Sequence, residues 1–140
     1  MTTPRAWAIS ARIGDRKNML SGRAALIVES EYIIGMDVQA LLQGLGAEPV
    51  YIVRTSAEAA EVLQRDISVS LAVIEAETHK PELIDLVLRL TGLGITVICT
   101  TADRQLAHDR PELTGHTLLV KPVPEDDLLA AITAVFGSER

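Results

Sequence analysis

Four apolar runs in this chain each stop at a chemically distinctive residue, and that pattern restricts the fold more than any other feature. Leu71-Ala72-Val73-Ile74 stops at Glu75, and Ala24-Ala25-Leu26-Ile27-Val28 stops at Glu29. Ile95-Thr96-Val97-Ile98-Cys99-Thr100 stops at Thr101, and His116-Thr117-Leu118-Leu119-Val120 stops at Lys121. Short aliphatic runs without alternation read as strands buried on both faces, the signature of a parallel sheet. A polar residue closing such a run lies at the carboxyl edge, where open α/β sheets gather ligands and chemistry. Two acids, a hydroxyl and a lysine at that edge suit a phosphoryl group and a divalent cation.

Helical patterns fill the intervals. Ile34, Val38, Leu41, Leu42 and Leu45 fall on one helical face, with Gly44 and Gly46 as the stop. Pro49–Val53 is a further strand, and Thr55 with Glu58 has capping-box spacing for a helix through about residue 64. Pro81 suits a first helical position, and Leu83, Ile84, Val87, Leu88 and Leu90 make that helix strongly apolar before Gly92 and Gly94. A short, weak helix is expected somewhere in 102–109. Pro124 and the acids Glu125, Asp126 and Asp127 open a last helix with the stripe Leu128, Leu129, Ile132, Val135 and Phe136. Five strands alternating with helices predict a flavodoxin-like, doubly wound, five-stranded parallel sheet of order 2-1-3-4-5 with helices on both faces. The turn after the first strand, Glu29-Ser30-Glu31-Tyr32-Ile33-Ile34-Gly35, has no G-x-G-x-x-G, which counts against a dinucleotide or P-loop site.

At 140 residues the chain is one domain, and with aromatics at only 3% its core must be aliphatic. No apolar run approaches a membrane span, and the N-terminus has no signal-peptide core. The single cysteine, Cys99, lies in a strand run and excludes an internal disulfide, which fits a cytoplasmic location. Charge is uneven. Residues 1–23 hold five Arg/Lys against one Asp, net +4, whereas residues 24–140 hold eight against eighteen acids, net −10. The acidic body argues against nucleic acid as a partner. Residues 1–23 read as a basic, flexible arm in which Trp7 and Ile9 hint at docking, and 24–138 as the folded domain.

Residues 24–136 resemble the receiver domain of two-component response regulators. The resemblance is carried by Ala25-Leu26-Ile27-Val28-Glu29-Ser30-Glu31, Leu71-Ala72-Val73-Ile74-Glu75, Val97-Ile98-Cys99-Thr100-Thr101-Ala102 and Leu119-Val120-Lys121-Pro122, in that order. It implies phosphoryl transfer from a kinase histidine to an aspartate at the third strand end. Two acids after the first strand hold Mg²⁺ with that aspartate, and a lysine neutralises the phosphoryl oxygens. A Thr or Ser after the fourth strand then binds the phosphoryl group, and an aromatic residue on the fifth strand turns inward.

The chain departs from that pattern in four places. Glu75 stands at the phosphoacceptor position, one methylene too long for in-line attack. The acidic pair is Glu29 and Ser30, so one metal ligand is missing, and Glu29 with Glu75 makes a weak Mg²⁺ site at best. The segment Ala76–Pro81 is shortened, and Leu118 holds the switch-aromatic position. Thr101 and Lys121 remain as phosphoryl contacts. Lys121 is expected to form a salt bridge to Glu75 or Glu29, while Thr101 reads equally as a helix cap. His79, His108 and His116 lack the spacing of a zinc site.

The favoured reading is a signalling module that acts by protein contact, independently of phosphorylation, and is not an enzyme. The alternative is a working receiver that accepts phosphate on Glu75 or Glu77. An unrelated small α/β enzyme ranks third, with Ser30 and Glu29 as the nearest nucleophile and base. With the chain ending at Arg140, output is expected through a histidine kinase or other signalling protein. A homodimer through the fifth strand and last helix is expected by resemblance, with no nucleic-acid or membrane partner.

Overall fold

The computed structural model describes residues 18–137. Five parallel strands, β1 (Ala24–Val28), β2 (Val50–Val53), β3 (Val69–Glu75), β4 (Thr96–Thr101) and β5 (Thr117–Val120), form one sheet of order β2-β1-β3-β4-β5. Five α-helices connect or follow them: α1 (Tyr32–Gly44), α2 (Ser56–Arg65), α3 (Pro81–Gly92), α4 (Leu106–Asp109) and α5 (Glu125–Phe136). The expected strand order and doubly wound fold are both present.

Two aliphatic cores cover the two sheet faces. On one, Leu26, Val28, Ala72, Ile74, Val97 and Cys99 meet the buried stripes of α2 and α3, with Leu106 from α4. On the other, Ala25, Ile27, Leu71, Val73 and Ile98 meet Leu42 of α1 and Leu128, Ile132 and Phe136 of α5. Alternation along each strand divides its side chains between the two cores, which is why the central strands read as unbroken apolar runs.

Two sequence expectations are corrected. β3 begins two residues early, at Val69, because Val69 is itself buried after a turn in which Asp66 Oδ1 accepts the Ser68 N–H at 2.9 Å. The short helix expected somewhere in 102–109 is present as Leu106–Asp109, followed by a 3₁₀ turn at Pro111–Leu113. Asp103 diverts the first residues into a side-chain turn, and Pro111 has no N–H with which to continue the helix. Residues 18–23, grouped by charge with the arm, belong to the packed body. Leu20 is fully buried, its N–H donates to Leu45 O at 2.8 Å, and the Arg23 guanidinium lies 4.6 Å from the Phe136 ring centroid. The rest of the basic arm, with Trp7 and Ile9, lies outside the described residues.

Candidate functional site

The sheet register brings the strand ends together. Val28 pairs with Ile74, Glu75 with Thr100, and Thr101 with Val120, so Glu29, Glu75 and Lys121 emerge side by side at the carboxyl edge. Backbone bonds extend the ladder past the strands: Glu29 N–H to Val53 O (3.0 Å), Ala76 N–H to Thr100 O (2.8 Å) and Lys121 N–H to Thr101 O (2.7 Å). Strand order reverses between β1 and β3, so the cluster sits at the topological switch point.

Lys121 is the centre of the cluster. Its Nζ lies 2.6 Å from Glu75 Oε2, 3.0 Å from Glu29 Oε2 and 3.6 Å from Glu31 Oε1. Both Glu75 and Glu29, offered as alternative partners by the sequence, are bound at once. Ser30 completes the cage: its N–H and Oγ–H donate to Glu75 Oε1 at 3.0 and 2.7 Å. Thus each Glu75 oxygen is bound, one by an ammonium and the other by two donors. Glu29 Oε2 also accepts the Glu31 N–H at 3.1 Å.

Glu29 and Glu75 are buried, at 4% and 7% exposed, so desolvation is the largest influence on both. For Glu75 that upward push is overcome by the hydrogen bonds from Lys121 and Ser30, which bring its pKa down to about 2. For Glu29 burial prevails, helped by the adjacent Glu75 charge, and its pKa is raised. Burial would lower the Lys121 pKa, but the two carboxylates outweigh it and raise it. The site therefore holds a firm Glu75–Lys121 ion pair beside a carboxyl group that takes a proton more readily than usual.

Sequence reasoning undercounted the acids. Glu31 brings a third carboxylate, and one oxygen from each of Glu29, Glu31 and Glu75 lies within 4.8 Å of the others. Glu31 stands one residue after Ser30, the position at which the sequence reading counted a ligand missing, a signal available in the Glu-x-Glu spacing. Hard oxygen donors of this kind fit Mg²⁺ chemically, but the Lys121 ammonium already lies against all three, so a cation would compete with it.

Thr101 sits beside this cluster in a different role. Its Oγ1 accepts the Asp103 N–H at 3.0 Å and so caps the β4–α4 turn; the helix itself starts later, after Gln105. Asp103 in turn accepts from Thr78 Oγ1 at 2.6 Å, and Arg110 Nη2 donates to Thr78 O at 2.8 Å. This clasp ties the loop after β3 to the loop after β4. Sequence reading missed it, because residues 25 and 32 positions apart leave no spacing signal. Leu118 is half-buried on β5, packed against the core that contains Cys99. Glu77 is drawn to Lys80 at 3.2 Å, and His116 Nε2 lies 3.1 Å from Thr91 Oγ1.

No protein-family model matches the sequence, and no curated protein matches it. Solved structures do. PhyR from Brucella abortus, a response regulator, superposes with a TM-score of 0.70 at 26% identity, over 94% of this chain and 54% of that one. The receiver (REC) domain of PhyR from Erythrobacter litoralis gives 0.69 at 27% identity, over 86% of this chain and 94% of that one. PhyR from Bartonella quintana, an anti-anti-sigma factor, gives 0.67 at 24% identity, over 94% and 55%. The chain spans about half the length of the Brucella and Bartonella proteins. Strand order, strand-end residues and these likenesses agree: the chain has the fold of response regulator receiver domains of the CheY-like type and is similar to them.

Proposed function

We propose that this receiver signals by protein contact with its acceptor position permanently occupied, without taking phosphate by the metal-assisted route. The observation that carries the reading is the double capture of Glu75, by Lys121 at one oxygen and Ser30 at the other. An attacking carboxylate oxygen must lie in line with the donor phosphorus, and the bonds from Lys121 and Ser30 fix the position of both Glu75 oxygens. Lys121, whose role by resemblance is to neutralise a phosphoryl group, already neutralises the protein's own acid. The side chains are held as one charged unit, which supports a single fixed state.

The third carboxylate, Glu31, favours a second reading. With Glu29 and Glu75 it offers enough hard ligands for weak Mg²⁺ binding, after which acyl phosphate could form on Glu75, or on Glu77 beside it. Intact mass after incubation with a small acyl phosphate, with and without Mg²⁺, separates the two. The expected result is no adduct on the wild type and a Mg²⁺-dependent adduct on Glu75→Asp, whose shorter side chain frees the phosphoryl position. A Mg²⁺-dependent adduct on the wild type overturns the first reading, and peptide mapping then assigns it to Glu75 or Glu77.

Partners follow from the same reading: a histidine kinase or another signalling protein, with a second copy docking on β5 and α5 to form a homodimer. Val120 and Val135, each 40% exposed, are the apolar contacts that face offers. Likeness to an anti-anti-sigma factor makes a regulator of sigma-factor availability one partner class to test.

A further inference from the structure

A hollow runs from the strand-end cluster along the seam between α1 and α5. A cavity of about 440 Å³ opens there, floored by Ile34, Val38, Val73, Val123 and Leu128 and also lined by Glu29, Glu31 and Asp37. It continues through the shared residues Asp37, Val38, Val123 and Leu128 into a second hollow that adds Leu41 and Glu125. The seam is therefore apolar at its base and acidic along its edge. Lys121 is the one cation lining either hollow, and Glu29 and Glu75 hold it.

We propose that this seam is the docking site of the chain's own residues 5–17, with Trp7 and Ile9 over the apolar base and the basic side chains against the acids. Three observations select this occupant. The first is attachment. Leu20 is bonded to Leu45, at the end of α1, and Arg23 stacks on Phe136, at the end of α5, so the chain enters the body at the foot of the same seam. The second is charge: residues 5–17 hold Arg5, Arg12, Arg16 and Lys17 against Asp15, and the seam is lined by Glu31, Asp37 and Glu125 beside the Glu29 that Lys121 already holds. The third is reach. Residues 7–18, at about 3.3 Å per extended residue, span roughly 36 Å, whereas the 13 residues of α1 measure about 20 Å.

A tether this short gives an effective concentration in the millimolar range, so contacts too weak to hold a free peptide suffice here. Docked there, the segment covers Glu31 and the mouth of the strand-end cluster. Any partner approaching that edge must displace it, so the arm acts as an intramolecular competitor.

Trp7 is the only tryptophan, so the full-length protein reports on its own arm. Tryptophan emission and quenching by neutral acrylamide are measured for the wild type, for Asp37→Lys/Glu125→Lys, and for Arg12→Glu/Arg16→Glu, whose changes lie outside the described residues. The expected result is blue-shifted wild-type emission with quenching several-fold below that of free tryptophanamide. Both charge reversals, and about 1 M salt, where the Debye length falls to about 3 Å, should raise quenching toward the free value. Wild-type quenching equal to the free amide overturns the proposal, as does protection that survives the Arg12→Glu/Arg16→Glu change. Protection lost on dilution, together with dimer mass, assigns the seam to a second copy's arm and overturns the intramolecular occupant.

Discussion

At position 75 the extra methylene of Glu lets one carboxylate touch both Lys121 and Ser30 while remaining 7% exposed. The energetic consequence has a definite sign. Glu75 ionises near 2 in the folded protein against an ordinary 4.5. Its contribution, on the order of 3 kcal/mol, is fully present above about pH 4.5 and is lost as pH falls toward 2. Glu29 is shifted the other way, so protonating it on the way down offsets part of that loss. Urea unfolding at a series of acidic pH values should therefore show a shallower fall for the wild type than for Glu29→Gln, in which the offset is gone. Lys121→Met strands two buried carboxylates and is expected to cost about 3–5 kcal/mol near neutral pH. The cost should shrink as pH approaches the raised Glu29 pKa, and the same unfolding series measures it. A pH-independent cost would mean that Lys121 contributes packing alone.

The elements were legible where local chemistry decided them. The α2 capping box has both halves in place, Thr55 Oγ1 accepting from Glu58 N–H at 3.1 Å and Glu58 Oε1 accepting from Thr55 N–H at 3.1 Å. Thr55→Ala should lower stability by about 1 kcal/mol in denaturant unfolding. Pro81 opens α3 as its fixed φ predicts, and strand order followed from alternation and crossover handedness. The region between β4 and β5 was less legible. There the outcome hangs on Asp103, Thr78 and Arg110, which meet only after the sheet has formed and whose separation in sequence carries no period. Likewise Glu31 was visible as a residue but not as a ligand, because only the folded turn after β1 aims it at Lys121. Thr78→Val should remove the Thr78–Asp103 half of the clasp and speed amide exchange over 101–105, leaving rates in β1 unchanged; unchanged rates over 101–105 would show that the turn is held without Thr78.

Across the whole molecule, the sheet ends in β2 and β5, each an edge with half-paired backbone. If β5 and α5 pair two copies, Val120→Glu and Val135→Glu should each convert the assembly to monomer in sedimentation, with unchanged helical content. No helix among the described residues is long and apolar enough to cross a membrane. The lysine at the centre of the acid cluster also provides a clock. The chain has only three lysines, Lys17, Lys80 and Lys121, and the last has a side chain 11% exposed and bound on several sides. An amine-directed reagent reacts with the free base, so Lys121 labels only when the cage opens and the ammonium returns to water. Its labelling kinetics beside Lys80 would count those openings, turning a static ion pair into a measure of how often this domain lets go of its own acid.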